Sequence, residues 1–380
     1  MRTGFLILFI ATMTFPSHAQ TKRLRDYGIR IGILPTGALN AVTDVPGVRV
    51  GQVTLMEGDS IRTGVTAILP HGGNIFQQKV PGAVFVANGF GKLAGSTQVQ
   101  ELGAIESPII LTNTLSVAAG IEGVVQYTLL QSGNENVRSV NALVGETNDG
   151  GLNDIRGRHV QPGHVIQAIL QAQEGPVKEG VVGAGTGTRC FGFKGGIGTA
   201  SRKLPASMGG FTVGVLVQTN FGGVLQIDGV QVGQALGQYP YREQLDTASD
   251  GSCMIVVATD APIDARNLER LAKRAFLGLG KTGGYASNGS GDYVIAFSTA
   301  EGLRIPHDPE NRLLSQQVLH NDAVSPLFLA AVEATEEAIL NSLAAAHEVT
   351  AVLNGKTITI PALPMDQVLP LMFKFGRLRE

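Results

Sequence analysis

The stretch TASDGSCMIVVATDAP, residues 247–262, joins a turn-forming tripeptide directly to an apolar run. Asp250-Gly251-Ser252 is typical of a turn, whereas the β-branched residues from Cys253 to Ala258 predict a buried strand. One interpretation is purely structural, a turn followed by a core strand. The other is chemical. A hydroxyl at the first residue of a rigid strand, after a glycine that tolerates strained backbone, is placed to attack its own peptide bond.

The rest of the chain contains further short apolar runs bounded by Gly, Pro and Asn, and between them segments with helical spacing. Predicted strands are 65–69, 83–87, 109–111, 142–144, 211–218, 253–258 and 293–297, and predicted helices are 115–131, 165–173, 264–277 and 325–347. Asp264 is the expected N-cap of the third helix. Asn354-Gly355 predicts a two-residue hairpin turn within residues 351–360. The mixture predicts an α/β fold with antiparallel strands, in layered sheets with helices outside.

Composition narrows the class of function. The chain has 380 residues, of which 43% are hydrophobic and 16% charged, enough to bury one large core in a single structural unit. Its formal net charge is -2, with no long run of Lys or Arg. A nucleic-acid or membrane-surface partner is therefore not indicated, and small molecules are the expected partners. The polar segment 234–250, which contains Pro240, predicts an exposed loop before the strand.

The first 19 residues have the pattern of a secretory signal peptide. Arg2 precedes a short apolar core at residues 5–15, Pro16 breaks it, and Ser17-His18-Ala19 forms a cleavage signal before Gln20. No later segment reaches the roughly 20 apolar residues that a membrane-spanning helix needs. We therefore expect an exported, periplasmic protein that is free of the membrane once the signal is removed.

Neither a metal site nor a cofactor site is indicated. The chain has two cysteines, Cys190 and Cys253, no CxxC or HExxH motif, and widely separated histidines. A Cys190–Cys253 disulfide is one interpretation, but both residues flank apolar positions, and two buried thiols are the expectation we favour. The Gly-rich segment 183–198 fails the GxGxxG pattern because residue 188 is Thr, so we expect close backbone packing there rather than phosphate binding. A serine-hydrolase GxSxG elbow is absent from the sequence.

Two other segments add polar groups at strand ends. In GGYASNGSGDYVIAF (283–297), Ser290 and Asp292 are two residues apart just before an apolar run, so both side chains are expected to project from the same side. In VQTNFGG (217–223), Asn220 ends a strand, where its amide is placed to donate to a developing oxyanion. Each alone also fits an ordinary turn or loop.

Together with Ser252, these segments resemble a known family. The chain resembles the L-aminopeptidase/D-amidase-esterase and β-aminopeptidase family of N-terminal-nucleophile hydrolases, which are made as precursors and self-cleaved into two chains. The resemblance covers nearly all of the chain after residue 20 and is carried by six blocks in order: GILPTGALNAVTDVPGVRVG (32–51), GETNDGGLNDIRGRHV (145–160), GAGTGTRCFGFKGGIGTASR (183–202), VLVQTNFGG (215–223), DGSCMIVVATDAP (250–262) and SNGSGDYVIAFST (287–299).

By that resemblance, the cleaved bond is Gly251–Ser252, which divides one structural unit into a large chain, residues 20–251, and a small chain, residues 252–380. Ser252 is then the nucleophile, Ser290 and Asp292 assist it, and Asn220 stabilises the oxyanion. The resemblance also implies a four-layer α/β/β/α sandwich, of the type shared with ornithine acetyltransferase, and a homo-oligomer of two-chain units.

Cleavage would free an α-amine on Ser252 itself, and the ordinary pKa of an α-amine, roughly 7.7–8.0, suits a general base near neutral pH. Whether this amine or the Ser290–Asp292 pair takes the proton is left open by the sequence. Cys253 is a rival nucleophile, but the next strand residue should point to the opposite face.

An aminopeptidase must also bind the ammonium group of its substrate, which calls for a carboxylate. Glu146 in GETNDG is the candidate, supported by the resemblance, with a solvated loop glutamate as the alternative. Some relatives carry Tyr where this chain has Asn148, which bears on the choice among α-amino, β-amino and D-configured substrates.

The sequence thus predicts an exported, self-processed serine aminopeptidase. Its expected substrates are small peptides, amides or esters with N-terminal L-, D- or β-amino acids, attacked through an acyl-Ser252 intermediate. The alternatives are an acyltransferase of the ornithine acetyltransferase type and a non-catalytic exported binding protein on the same scaffold.

Overall fold

The computed structural model describes residues 22–240, 251–309 and 312–378. The predicted signal peptide, 1–19, lies outside the described residues, as do residues 241–250 of the predicted loop. The described part of that loop begins with the end of a short helix, 232–235, and continues with half-buried and exposed residues to 240.

Over the described ranges the chain forms sixteen strands and seven α-helices. The strands are β1 (Arg49–Glu57), β2 (Ile61–Leu69), β3 (Gln78–Gly89), β4 (Leu93–Ala94), β5 (Ala104–Ile105), β6 (Ile109–Asn113), β7 (Leu143–Thr147), β8 (Arg189–Cys190), β9 (Phe193–Lys194), β10 (Ile197–Lys203), β11 (Thr212–Asn220), β12 (Ser252–Thr259), β13 (Gly291–Ser298), β14 (Ile305–Pro306), β15 (Val349–Leu353) and β16 (Lys356–Ile360). The helices are α1 (Ser96–Leu102), α2 (Val117–Leu129), α3 (Pro162–Leu170), α4 (Val232–Ala235), α5 (Ala265–Lys281), α6 (Ser325–Ala344) and α7 (Met365–Lys374).

Two mixed sheets form the centre of the described structure. The first has the strand order β1-β2-β6-β7-β4, and the second has the order β10-β11-β12-β13-β3-β14, with β5 also paired to β3. The neighbours β6 and β7 run parallel, as do β12 and β13, while the other neighbours run antiparallel. Each parallel pair is joined through a helix, since α2 lies between β6 and β7 in the chain and α5 between β12 and β13.

Three buried apolar clusters separate four layers. Between the two sheets lie side chains of both, among them Ile109, Leu143, Leu216, Met254 and Ile295. The outer face of the second sheet packs on α5 and α6 through residues that include Val215, Ile255, Leu271 and Ile339. The outer face of the first sheet packs on α2 and α3 through residues that include Ala67, Ile110, Val124 and Val165. The predicted α/β/β/α sandwich is confirmed.

This layering explains the apolar run that follows Ser252. Along β12, Cys253, Ile255 and Val257 belong to the helix-facing core, whereas Met254 and Val256 belong to the core between the sheets. A strand that is buried on both faces reads as a continuous apolar run rather than an alternating one. The central strand is therefore covered on both sides, and its first residue, Ser252, is its most exposed one, at 6%.

Local signals in the sequence are also confirmed. The Asp264 carboxylate accepts a hydrogen bond from the Asn267 backbone N–H at 2.9 Å, as an N-cap should. Asn354 and Gly355 both have positive φ, 51° and 74°, and join β15 to β16 as a two-residue hairpin turn. Cys190 and Cys253 are buried free thiols, so the disulfide interpretation is wrong.

The Gly-rich segment 183–198 packs backbone against backbone, as predicted. A Cβ at Gly185 would lie 2.4 Å from the Ile197 nitrogen, and one at Gly187 would lie 2.1 Å from the Arg62 oxygen. The buried Lys194 ammonium donates to the Gly185 carbonyl at 2.9 Å. Burial lowers the pKa of Lys194 to about 7. The glycines are thus explained by close contact with protein, without a bound phosphate.

Candidate active site

Ser252 is the first residue of β12 and lies between the ends of two neighbouring strands. Asn220, the last residue of β11, is level with it on one side, and Gly291, the first residue of β13, is level with it on the other. The Gly291 backbone N–H donates both to the Ser252 hydroxyl, at 3.3 Å, and to the Gly251 carbonyl, at 3.1 Å. The hydroxyl is therefore held at the rim of the second sheet by the strand pairing itself.

A cavity of about 580 Å³ opens at this rim. Five residues singled out in the sequence line it: Gly251, Ser252, Asn220, Glu146 and Asn148. The wall also includes residues that the sequence did not single out, among them Phe90, Lys92, Thr114, Leu152 and Arg189. Segments more than 100 residues apart in the chain therefore meet around one nucleophilic side chain.

The Asn220 side chain is oriented by two hydrogen bonds. Its Oδ1 accepts from the Arg189 backbone N–H at 3.1 Å, and its Nδ2 donates to the Asn148 carbonyl at 2.9 Å. An amide nitrogen carries two hydrogens, so one N–H is left to donate to a ligand. Because the other bonds hold the group in place, that N–H needs little reorganisation to meet a negative oxygen.

Glu146 is a buried carboxylate, only 3% exposed, in β7 of the first sheet. Its Oε1 accepts from the Lys92 backbone N–H at 3.0 Å and lies 3.4 Å from the Lys92 ammonium, and its Oε2 accepts from the Thr114 hydroxyl. The alternative of a solvated loop glutamate is therefore wrong. A buried carboxylate on the cavity wall, already beside one ammonium group, is suited to bind another.

Asn148 directly follows β7 and lines the cavity. Its side-chain oxygen accepts from the Gly150 N–H at 2.9 Å, which forms a tight turn, and its carbonyl holds Asn220 as described. The residue therefore connects the loop after Glu146 to the amide beside Ser252.

Asp292 lies on β13, the strand next to Ser252, and Ser290 directly precedes that strand, but neither residue lines the cavity. Asp292 is level with Cys253 rather than with Ser252. Burial raises the pKa of Asp292 to about 6, against the lowering effect of the Ser290 hydroxyl and the Cys253 backbone amide. The Ser290 hydroxyl and the Cys253 amide are close enough to affect the Asp292 carboxylate. Within the described residues, however, neither oxygen of that carboxylate forms a hydrogen bond of good geometry, and neither does the Ser290 Oγ.

Cys253 faces away from the cavity, in the core beneath α5 and α6. Burial, with a smaller contribution from Asp292, raises the pKa of its thiol well above the ordinary value. A thiol without access to the thiolate form is a poor nucleophile. The structure therefore excludes Cys253 as the rival of Ser252.

Sequence reasoning missed Lys92, Thr114 and Arg189. One signal pointed to Thr114, since it directly follows β6, the strand that pairs in parallel with the one carrying Glu146. The carboxyl ends of parallel neighbours meet at one edge of a sheet, so a prediction of this parallel pair would have placed Thr114 close to Glu146. Lys92 and Arg189 lie in glycine-rich segments and carry no comparable signal.

Two structural findings concern other classes of site. Within the described ranges, no three or more His, Cys, Asp or Glu side chains gather as a metal ion would require. Among the helices of the described residues, none combines the length and apolarity needed to cross a membrane.

Comparison with known proteins identifies the family to which the chain belongs. A model of peptidase family S58 matches residues 40–357. The chain belongs to peptidase family S58. The S58 chain is 42% identical to the β-peptidyl aminopeptidase BapA of Sphingosinicella microcystinivorans, across 95% of this chain and 94% of that protein.

Solved structures agree with the family. A β-aminopeptidase from a Burkholderia species has a TM-score of 0.85 and 41% identity, covering 93% of this chain and 99% of its own. The L-aminopeptidase D-Ala-esterase/amidase of Ochrobactrum anthropi has a TM-score of 0.86 and 35% identity, covering 94% and 99%. The latter is described as a prototype of the serine aminopeptidases, with a variant of the Ntn hydrolase fold. The S58 chain is thus a hydrolase of the aminopeptidase/amidase type, and the resemblance seen in its sequence is confirmed.

Proposed function

We propose that this S58 protein is an exported precursor that cleaves its own Gly251–Ser252 bond and then acts as an aminopeptidase through Ser252. The observation that carries the proposal is the single cavity that holds the Ser252 hydroxyl, the Glu146 carboxylate and the Asn220 amide. The names of its relatives, a β-peptidyl aminopeptidase and an L-aminopeptidase D-Ala-esterase/amidase, support small peptides, amides or esters with L-, D- or β-amino acids at the N-terminus.

Self-cleavage is proposed as an acyl shift. The Ser252 hydroxyl oxygen attacks the Gly251 carbonyl carbon, the Ser252 nitrogen leaves as an amine, and water hydrolyses the resulting ester to a Gly251 carboxylate and a restored hydroxyl. The Gly291 N–H, already 3.1 Å from the Gly251 carbonyl oxygen, donates to the negative charge that develops there. A Cβ at residue 251 would lie 2.6 Å from the Phe221 Cα, so this position requires glycine.

The precursor has no free amine at Ser252, so another group must accept the hydroxyl proton. Asp292 is proposed for that step, with Ser290 beside it, because Asp292 lies on the strand that pairs with β12 and Ser290 directly precedes that strand. With a pKa of about 6, the Asp292 carboxylate is mostly ionised at neutral pH and remains a competent base. The sequence left two proton acceptors open. In this proposal, Asp292 with Ser290 serves self-cleavage, and the Ser252 α-amine serves turnover of substrate.

After cleavage, the freed Ser252 α-amine is the proposed base for turnover of substrate. Glu146 binds the substrate ammonium, which places the first carbonyl against the Ser252 hydroxyl, and the free N–H of Asn220 donates to the oxyanion. Acylation releases the leaving amine or alcohol, and water then hydrolyses the acyl-Ser252 ester. In other enzymes, one oxyanion donor contributes about 10²–10³ in kcat.

The test uses the full-length chain. Wild type should give two fragments on a denaturing gel, and Edman sequencing of the smaller should read Ser-Cys-Met-Ile. Ser252→Ala should stay whole and inactive, whereas Ser298→Ala, at the far end of β13, should split normally. Turnover by an uncut chain, or cleavage of the Ser252→Ala chain, would refute the mechanism.

Export and assembly are separate parts of the proposal. Export rests on the signal pattern of residues 1–19, and the mass of the large fragment purified from the periplasm should place its first residue at Gln20. A homo-oligomer of two-chain units is proposed from the family resemblance, and light scattering should give a mass of at least two units. A monomeric, active enzyme would refute the second part alone.

A further inference from the structure

One cation on the cavity wall has no acidic partner among the described residues. Arg189 begins β8, is exposed, and lines the cavity. Its backbone N–H orients Asn220, but its guanidinium makes no hydrogen bond or ion pair with the described part of the chain. The other cation on this wall, Lys92, is beside Glu146 at 3.4 Å. The guanidinium therefore remains available to an anionic group of a ligand.

The Arg189 backbone and the Glu146 carboxylate approach opposite strand neighbours of Ser252. On one side, Asn220 is level with Ser252 and accepts from the Arg189 backbone. On the other, Gly291 is level with Ser252, and a Cβ at Gly91 would lie 3.3 Å from the Gly291 Cα and 3.2 Å from Glu146 Oε1. The Glu146 carboxylate is therefore near the Gly291 side of Ser252, and Arg189 is anchored on the Asn220 side.

We propose that Arg189 binds the free α-carboxylate of the leaving amino acid, so that the enzyme prefers dipeptides with a free C-terminus over their amides. This inference rests on the aminopeptidase function proposed above. A guanidinium presents a planar fork of donors that matches a carboxylate, and the pair forms two parallel hydrogen bonds. Glu146 repels the same carboxylate, so the two charges together orient a dipeptide from its ammonium to its carboxylate.

The dimensions are those of a short substrate. Neighbouring strands are about 4.8 Å apart, so the wall from Gly291 across Ser252 to Asn220 spans about 10 Å. An extended dipeptide covers about 7 Å of backbone, at no more than about 3.6 Å per residue. Longer peptides place their carboxylate beyond this span and gain nothing from Arg189.

The experiment measures the ratio of kcat/KM for β-alanyl-phenylalanine to that for β-alanyl-phenylalanine amide. Arg189→Gln should lower this ratio about two- to fivefold, mainly through KM for the acid, because an exposed, charge-assisted pair contributes modestly and uniformly. Arg189→Lys, which keeps the charge without the fork, should restore part of the ratio. Arg266→Gln, on α5 away from the cavity, is the matched control for net charge and should leave the ratio as in wild type.

An unchanged ratio in Arg189→Gln would overturn the inference. That result is also expected if Arg189 pairs instead with the Gly251 carboxylate that self-cleavage creates. An equal fall in Arg266→Gln would overturn it as well, since long-range charge would then be the cause. The amide measures the proposed function separately. If wild type cleaves the amide but the ratio does not depend on Arg189, only this inference fails. If wild type cleaves neither compound nor any aminoacyl p-nitroanilide, the proposed aminopeptidase function fails.

Discussion

Glu146→Gln tests how the substrate amine is bound. The substitution removes the negative charge but keeps the shape of the side chain. A glutamine oxygen still accepts from the Lys92 backbone N–H, and the glutamine nitrogen donates to the Thr114 hydroxyl, which accepts as readily as it donates. The buried position therefore stays filled and hydrogen-bonded, and the change isolates the charge that is proposed to attract the substrate ammonium.

The expected magnitude follows from the burial of Glu146. Two unit charges about 4 Å apart attract by about 4 kcal/mol at an effective dielectric constant of about 20, and desolvation of the ammonium offsets part of this. Hydrogen bonds to charged groups contribute a net of about 1.5–3 kcal/mol. Since about 1.4 kcal/mol is one factor of ten, Glu146→Gln should reduce kcat/KM for a free-amine substrate by about 10–100-fold.

The assay compares β-alanine p-nitroanilide with propionic acid p-nitroanilide, which lacks the amine. The loss should be confined to the first compound, with the second changed less than about threefold. Glu106→Gln is a matched control, because Glu106 is also buried, also accepts from a backbone N–H, and also lies 3.4 Å from a lysine, but away from the cavity. Equal losses for both anilides in Glu146→Gln would refute the role of the charge.

Three further predictions concern neighbouring groups. Lys92→Met removes a half-exposed cation that competes for Glu146, so KM for free-amine substrates should fall by about two- to fivefold; a rise in KM would contradict this. For Asp292, whose pKa is raised to about 6, protonation below pH 6 removes the proposed base. The self-cleavage rate of purified precursor should therefore fall about tenfold per pH unit below 6. The Asp292→Asn precursor should cleave itself slowly, at a rate that does not change with pH in that range. Asp264→Ala removes the N-cap of α5 and should lower the free energy of unfolding by about 1 kcal/mol in urea titrations, with kcat/KM unchanged.

Much of the fold was predictable from local sequence. Each of the four predicted helices overlaps an observed one, and each of the seven predicted strands overlaps an observed strand, with ends displaced by a few residues. Besides the two-residue strands, the sequence analysis missed β1 and β10, which contain Gly, Gln, Thr or Arg among their apolar residues and so lack a continuous apolar run. Helix α7 was missed because Pro370 lies inside it, which ordinarily argues against a helix.

In the candidate site, too, the features that depend on local sequence were predictable and those that depend on distant segments were not. Ser252 was predictable because the turn and the strand that place it are adjacent in the chain, and Asn220 because it ends a strand. The burial of Glu146 was not, since its partners Lys92 and Thr114 come from segments 54 and 32 residues away. The pKa of Asp292 likewise depends on burial against neighbours that local sequence does not specify.

The sequence by itself determined the strand that begins at Ser252, the N-cap, the hairpin and, through resemblance, the family, because these depend on residues that are close together or on blocks that recur in order. Only the tertiary structure decided that Glu146 and Arg189 meet Ser252 in one cavity. That arrangement follows from the pairing of β12 with β11 and β13, which brings distant segments to one rim. Long-range strand pairing and burial, which no local pattern encodes, therefore set the charges around the nucleophile.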